Sequence, residues 1–316
     1  MTVSVPFVPG TASSGAVHPP ALAPGARVAL VAPAGPLRGP VDVERADATV
    51  RALGWTPVSG ASVLARVGWL AGDDDARLAD LQDAIDDPSI DAIWCLRGGH
   101  GTTRLLPRLR LGALAAHPKA IVGFSDVTAL HAAIAATVPL VTFHGPVARG
   151  ELTPASRDSL VAALSGSGEP CGHAVDGRTA RAGVATGTLA GGNLALLAAL
   201  CGTPWQPRFR DAIVVLEDVH EPSYRVDRML RQLEQSGAFD GCAGLVGGQF
   251  TDVPRDAAPD APACDTLVAD LARHLDIPCL LGAPIGHIAE QWTVPLGARA
   301  ELDADARTLR VATPTA

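Results

Sequence analysis

Three short segments put reactive side chains where an apolar run ends. They are a hydroxyl in "PKAIVGFSDVTALH" (Ser125), a carboxylate in "AIVVLEDV" (Glu217) and an imidazole in "PIGHIAEQWTVPLG" (His287). A hydroxyl, an imidazole and a carboxylate together can supply the nucleophile, general base and orienting acid of acyl transfer. A fourth segment, "CLRGGHG" at residues 95–101, has two adjacent glycines. Such a pair allows close backbone approach and can turn bare N–H groups toward an oxyanion.

Each segment also has a plainer reading. Ser125 and Asp126 stand where a strand gives way to a helix, which is where N-capping side chains belong. The glycine pair suits a tight turn. Glu217 could pair with Arg225 or Arg228, and His287 could be a surface or structural residue. "GFSDV" lacks the second glycine of a G-x-S-x-G elbow, although the chain order Ser…Glu…His is that of elbow hydrolases. "RGGHG" is neither a dinucleotide fingerprint nor a phosphate loop, since G-x-G-x-x-G and G-K-[ST] are both missing.

The elements that must carry these residues are legible as a rhythm. "ARVALVAPA", "DAIWCLRGG", "PKAIVGF" and "VPLVTFHGP" read as strands, and "VDVERADATVRAL" and "DDDARLADLQDAIDD" as helices between them. Strands alternating with helices predict a mostly parallel sheet flanked by helices. "GGNLALLAALCG", "AIVVLEDV", "SYRVDRMLRQLEQSG", "GLVGGQF" and "CDTLVADLARHL" resume the alternation, and the end of the chain alternates like β-strands. The expected fold class is therefore α/β: an N-terminal domain with a mostly parallel sheet, plus a second mixed α/β domain with C-terminal β-strands. The boundaries expected are a disordered tail at 1–24, the N-terminal domain carrying the nucleophile at 25–150, a Gly-rich crossing at 151–185, and the C-terminal domain at 186–316. Ligands of open α/β sheets bind beyond the C-terminal ends of the strands, which is where all four reactive segments fall.

The bulk properties narrow the class of partner. The chain has 316 residues, 47% hydrophobic and 18% charged, enough to bury sizeable cores. Its net charge of −8 argues against nucleic acid and against anionic membrane surfaces. Only Lys119 is lysine among 25 basic residues, which reads as a codon bias. Cys95, Cys171, Cys201, Cys242, Cys264 and Cys279 show no C-x-x-C pair and read as reduced core residues, pointing to a cytoplasmic setting. No signal peptide and no membrane span is read.

Taken in order, the blocks "VALVAPAGP", "IDAIWCLRGGHG", "PKAIVGFSDVTALH", "TFHGP", "LAGGNLALLAALCGTP", "VVLEDVHEPSYRVDRMLRQL" and "GHIAEQWTVPLG" resemble the LD-carboxypeptidase family of serine peptidases. The resemblance implies a two-domain fold with a Ser–His–Glu triad at the domain interface: Ser125 as nucleophile, His287 as general base and Glu217 as orienting acid. It implies oxyanion donors at the Gly99 and Asp126 N–H groups and needs no metal or cofactor. His100 departs from the family's usual tyrosine in "RGGYG". With Asn193, Arg149 and Glu290 it is a candidate substrate contact, each equally readable as structural. The implied activity is removal of a terminal D-amino acid, usually D-alanine, from muropeptide tetrapeptides in cell-wall recycling. An alternative within the resemblance is hydrolysis of the amide of aminoacyl or peptidyl nucleotide antibiotics of the microcin C type. That substrate calls for stacking surface such as Trp205 or Trp292. An alternative of another class is a non-catalytic two-lobed binding protein for peptides or sugars. A small peptide is the partner expected, and an apolar face between β/α units suggests a homodimer.

Overall fold

The computed structural model of the protein describes residues 16–254 and 260–312. The N-terminal half runs β1 (Arg27–Val31), α1 (Pro40–Ala52), β2 (Thr56–Ser59), α2 (Asp74–Asp86), β3 (Ala92–Cys95), α3 (Thr102–Leu105), α4 (Ala113–Ala116), β4 (Ala120–Gly123), α5 (Thr128–Thr137) and β5 (Thr142–His144). Then come α6 (Pro154–Ser165), β6 (Gly172–His173) and β7 (Arg178–Arg181). The rest is β8 (Val184–Asn193), α7 (Leu194–Ala199), β9 (Ala212–Val219), α8 (Ser223–Gln235), β10 (Gly244–Thr251), α9 (Cys264–His274), β11 (Cys279–Leu281), β12 (Val294–Leu296), β13 (Arg299–Asp303) and β14 (Thr308–Val311).

The first sheet has the order β12-β5-β4-β3-β1-β2, and β1 to β5 are all parallel. Its middle strands are apolar throughout because helices cover both faces. Alternate residues feed two cores: Val28, Leu30, Trp94 and Val122 on one face, Ala29, Val31, Ile93 and Ile121 on the other. Helix starts follow capping chemistry. Asp73 accepts the Ala76 N–H at 2.8 Å ahead of α2, and Thr153 caps α6, which has proline in its first turn. The second sheet has the order β6-β14-β13-β8-β9-β10-β11-β7, parallel from β8 to β11 and antiparallel outside them.

Several expectations need correction. The tail expected to be disordered over 1–24 is ordered from residue 16. Val17 donates to Pro139 O at 2.7 Å and accepts from Val141 N at 2.9 Å, and the Leu22 N–H bonds Leu164 O at 2.9 Å. Backbone groups do this work, so the side chains left little pattern to read; residues 1–15 lie outside the described residues. Residues 151–185, read as a crossing, are built into both halves. Leu160 and Leu164 of α6 join the core under the first sheet, while β6 and β7 are the two edges of the second. Finally, β12 lies in the stretch assigned to the C-terminal domain but pairs with β5, antiparallel, and completes the first sheet.

Candidate active site

The first sheet delivers Ser125 on a strained turn. After β4, Phe124 is extended and Ser125 takes φ 62°, the left-handed region that a side-chain-bearing residue enters at a cost of about 1–2 kcal/mol. Such strain persists where the surroundings enforce it, and functional turns are where it collects. Neither Ser125 nor Asp126 caps the helix that follows. Asp126 instead accepts the Thr102 N–H at 2.8 Å and so caps α3, which corrects the expectation that its side chain caps its own helix. Beneath the turn lies Gly98, where a Cβ would fall 2.9 Å from Ser125 Cβ and 3.0 Å from its Oγ.

Glu217 and His287 are brought together from distant segments. Glu217 stands on β9 and is fully buried. Its Oε2 lies 2.8 Å from His287 Nδ1. A buried carboxylate is costly without a partner, and an ionised one only accepts, so the pairing favours the tautomer with its proton on Nδ1 and none on Nε2. Gly286 has φ 115°, and a Cβ there would sit 2.7 Å from the same Oε2, so glycine is what lets the acid come this close. The pairings of Glu217 with Arg225 or Arg228 considered above are not formed: Arg225 bonds Glu221 and Arg228 lies over Tyr224.

His287 rides on the loop between β11 and β12, which is fastened from both halves. The Gln249 N–H on β10 bonds Ile285 O at 2.9 Å. On the other side Ser156 Oγ accepts the Gln291 N–H at 2.9 Å, and Ser159 Oγ accepts the Thr293 N–H at 2.8 Å, both from α6. The imidazole packs against the Phe124 ring, centroids 4.7 Å apart, which sets it beside the residue preceding Ser125. The Ser125 hydroxyl makes no hydrogen bond among the described residues.

The glycine loop completes the geometry. Gly98 is buried and its carbonyl accepts the Gly35 N–H at 3.0 Å, while Gly99 (φ 116°) and His100 are exposed. Among the described residues the N–H groups of Gly99 and Asp126 have no carbonyl partner. Arg77 on α2 holds the loop from below. Its guanidinium, 1% exposed, donates to Gly101 O at 3.0 Å and to Pro33 O, and pairs with Asp74.

Asn193 is buried rather than open to the cleft. Its Oδ1 caps α7 at Leu196 N, 3.2 Å, and its Nδ2 donates to Asp218 Oδ1 at 2.9 Å. Its own N–H bonds Thr128 Oγ1 of α5 at 3.0 Å, which ties the two halves together below the site. Asp218 points away from its neighbour Glu217 and also accepts from Ala195 N and Val219 N. Burial pushes its carboxyl up to about 6, against the pull of the Val219 N–H, with Glu217 raising it further. Glu290 is exposed, and Trp205 and Trp292 pack partly buried against cores.

Some residues of the site were not visible beforehand. Phe124 was read only as part of a strand, yet it is the wall on which the imidazole leans. His144 and His131 lie fully buried nearby. Burial holds them down at about 3 and about 4, so both are neutral. The arginine in "DDDARL" could have signalled Arg77 only by standing on the apolar side of its helix. Among the described residues no group of three or more His, Cys, Asp or Glu could hold a metal ion.

Residues 28–145 match the LD-carboxypeptidase N-terminal domain, and residues 186–302 match the LD-carboxypeptidase C-terminal domain. The murein tetrapeptide carboxypeptidase of Pseudomonas aeruginosa is 38% identical over 88% of this chain and 93% of its own length. The crystal structure of a muramoyltetrapeptide carboxypeptidase from Oxalobacter formigenes has 31% identity and a TM-score of 0.80, covering 92% of this chain and all of that one. The structure of MccF in complex with glutamyl sulfamoyl guanosine has a TM-score of 0.83 at 24% identity, covering 94% of this chain and 98% of that one, a likeness of fold. The chain belongs to the LD-carboxypeptidase family. It is accordingly a peptide-bond hydrolase of the carboxypeptidase kind.

Proposed function

We propose that the protein is a serine-type LD-carboxypeptidase that releases a terminal D-amino acid, D-alanine in the first instance, from muropeptide tetrapeptides. The observation that carries this reading is the 2.8 Å contact between His287 Nδ1 and buried Glu217, with the imidazole against Phe124 and next to the strained Ser125 turn. The names of the Pseudomonas and Oxalobacter relatives support the substrate.

In this mechanism substrate fills the cleft and the Ser125 hydroxyl comes within about 3 Å of His287 Nε2. Oγ attacks the carbonyl carbon as Nε2 takes its proton, and Glu217 stabilises the imidazolium. The Gly99 and Asp126 N–H groups bind the tetrahedral oxyanion, each worth about 3 kcal/mol in the transition state. The C–N bond then breaks, and the leaving amine takes the proton from Nε2. A water gives its proton to the same nitrogen and attacks the acyl-enzyme. Ser125 recovers its proton as the shortened peptide leaves.

The reading places the protein in the cytoplasm, and the cysteines support it: all six are free, and five of them are buried. Burial pushes the Cys95 thiol up to about 12 and Cys242 up to about 11, which keeps them inert. The described residues contain no helix long and apolar enough to cross a membrane. A homodimer belongs to the same reading. Leu64, Val67 and Trp69 are exposed apolar surface that a second copy could cover, and sedimentation velocity checks it.

The test is to incubate wild type and Ser125→Ala with a tetrapeptide ending in D-Ala and, separately, with an aminoacyl sulfamoyl adenylate. Mass spectrometry follows loss of the terminal group. Release of D-Ala by wild type alone supports the reading. Preference for the adenylate moves the substrate to the microcin C type, and equal action by both proteins removes Ser125 as nucleophile.

A further inference from the structure

The C-terminal ends of the parallel strands carry a group of arginines that the proton relay does not use. Arg38 follows β1, Arg97 follows β3 and Arg149 follows β5, with Arg45 nearby on α1. These are the ends of the sheet at which β4 delivers Ser125. Arg97 directly precedes Gly98, the residue packed against Ser125 Cβ.

The charge in this corner does not balance. Asp42 is the buried acid there; its Oδ2 accepts the backbone N–H of Arg38 at 2.9 Å and lies 4.0 Å from Arg149 Nη1. Arg45 has Glu151 at 4.0 Å, an exposed acid. Arg97 donates to Pro36 O, a neutral group. At Arg149 the charges of Arg97, Arg38 and Arg45 are set against one acid, Asp42, in a chain whose net charge is −8. Arg149 is incompletely satisfied. Its side chain is 24% exposed, and its Nε is buried with no hydrogen-bond partner. Burial first and Arg97 next disfavour its charge, and Asp42 is the one group that favours it. Half-buried like charges with too few counterions are costly, and an arriving anion relieves that cost.

We propose that Arg149, with Arg97 beside it, binds the free carboxylate at the substrate's C-terminus. The inference rests on the carboxypeptidase reading and deepens it by naming what makes the enzyme cut at a chain end. A guanidinium fork matches a carboxylate in bidentate fashion, and the bond is strengthened where water is partly excluded. Arg149 brings an Nε without a hydrogen-bond partner and an Nη1 4.0 Å from Asp42, so the protein leaves this partly exposed guanidinium unsaturated. The peptide's terminal carboxylate lies one residue beyond the scissile amide. It would therefore lie within a residue's length of Ser125, on the edge where these arginines stand.

The experiment compares two tetrapeptides that differ only at the terminus, one ending in D-Ala carboxylate and one in D-Ala carboxamide. Wild type is expected to show a KM lower by about 10- to 100-fold for the carboxylate, the range for a charge-assisted contact. Arg149→Gln should collapse that ratio to near one, and Arg149→Lys should recover part of it. Arg97→Gln serves the same purpose if Arg149→Gln does not fold, folding being followed by thermal melt. Equal KM values for the two peptides with wild type, or an unchanged ratio in the folded Gln variants, overturns the proposal. If wild type cleaves neither peptide, the carboxypeptidase reading fails. The arginine site is then judged by calorimetry on the Ser125→Ala protein: preference for the carboxylate peptide upholds it, and indifference ends it.

Discussion

Glu217 Oε2 and His287 Nδ1 lie 2.8 Å apart, although seventy positions separate them in the chain. One comes from the centre of the second sheet and the other from a loop that ends in the first. The contact fixes which ring nitrogen holds the proton. Glu217→Gln keeps the shape but can donate to Nδ1, so the proton moves to Nε2 and the base proposed for the reaction is lost. We expect kcat to fall by about 10³- to 10⁴-fold with the fold intact. Steady-state kinetics beside a near-UV circular dichroism spectrum checks this.

Gly98→Ala tests the floor of the Ser125 turn. The added Cβ would stand 2.9 Å from Ser125 Cβ, a contact that folded proteins do not tolerate without movement. Overpacking of this sort costs about 1–3 kcal/mol. Urea denaturation should show that loss, and activity should fall further than stability because the displaced residue is Ser125 itself. A variant with wild-type kcat and midpoint would show that the turn is free to move.

Arg77 is the one arginine among the described residues withdrawn from water, and it ties the glycine loop at Gly101 O to the segment after β1 at Pro33 O. Arg77→Met removes both bonds and leaves two buried carbonyls to find partners. Breaking such a buried charged network costs about 3 kcal/mol. We expect a lower thermal midpoint and, in the folded protein, reduced kcat at nearly constant KM, because the loop carries a proposed oxyanion donor. A KM effect without a kcat effect would place the loop in ground-state binding instead.

Stability should fall on acidification. His131 and His144 have folded-state values of about 4 and about 3, below the 6.5 of a free imidazole. The unfolded chain therefore takes up protons first. Their contribution is complete above pH 6.5 and is lost as the pH falls toward 4 and 3. Asp218, raised to about 6, runs the other way: its contribution is complete below pH 3.8 and is lost as the pH rises through 6. His144→Phe should flatten the stability profile between pH 6.5 and 4, and Asp218→Asn should steepen it. Urea midpoints measured across that range decide both.

The sheet-forming runs of the first half were legible because strands buried on both faces are written as unbroken apolar stretches, as in "AIWC" and "AIVG". The same logic hid β8. Its "VATGTLAGGN" is the partner of both β9 and β13 at the centre of the second sheet, yet it is mostly small residues with glycines. Those glycines are required by crowding: a Cβ on Gly191 would fall 2.0 Å from Val215 O. β12 escaped notice as a member of the first sheet because three residues, "VPL", carry no information about which edge they will pair with. The candidate side chains of the proposed site were picked out from type and position at strand ends. Their supports were not, since Phe124, Arg77 and Asp218 act through contacts that only the folded chain creates.

The imidazole loop starts from one sheet and finishes in the other, with α6 and β10 gripping it between. It is a span moored on two banks. Any slackening between the lobes must be felt at its middle, where the imidazole hangs. Catalysis should therefore fade under mild denaturant or lobe-prising mutations well before either lobe melts, making turnover a gauge of how tightly the molecule is closed.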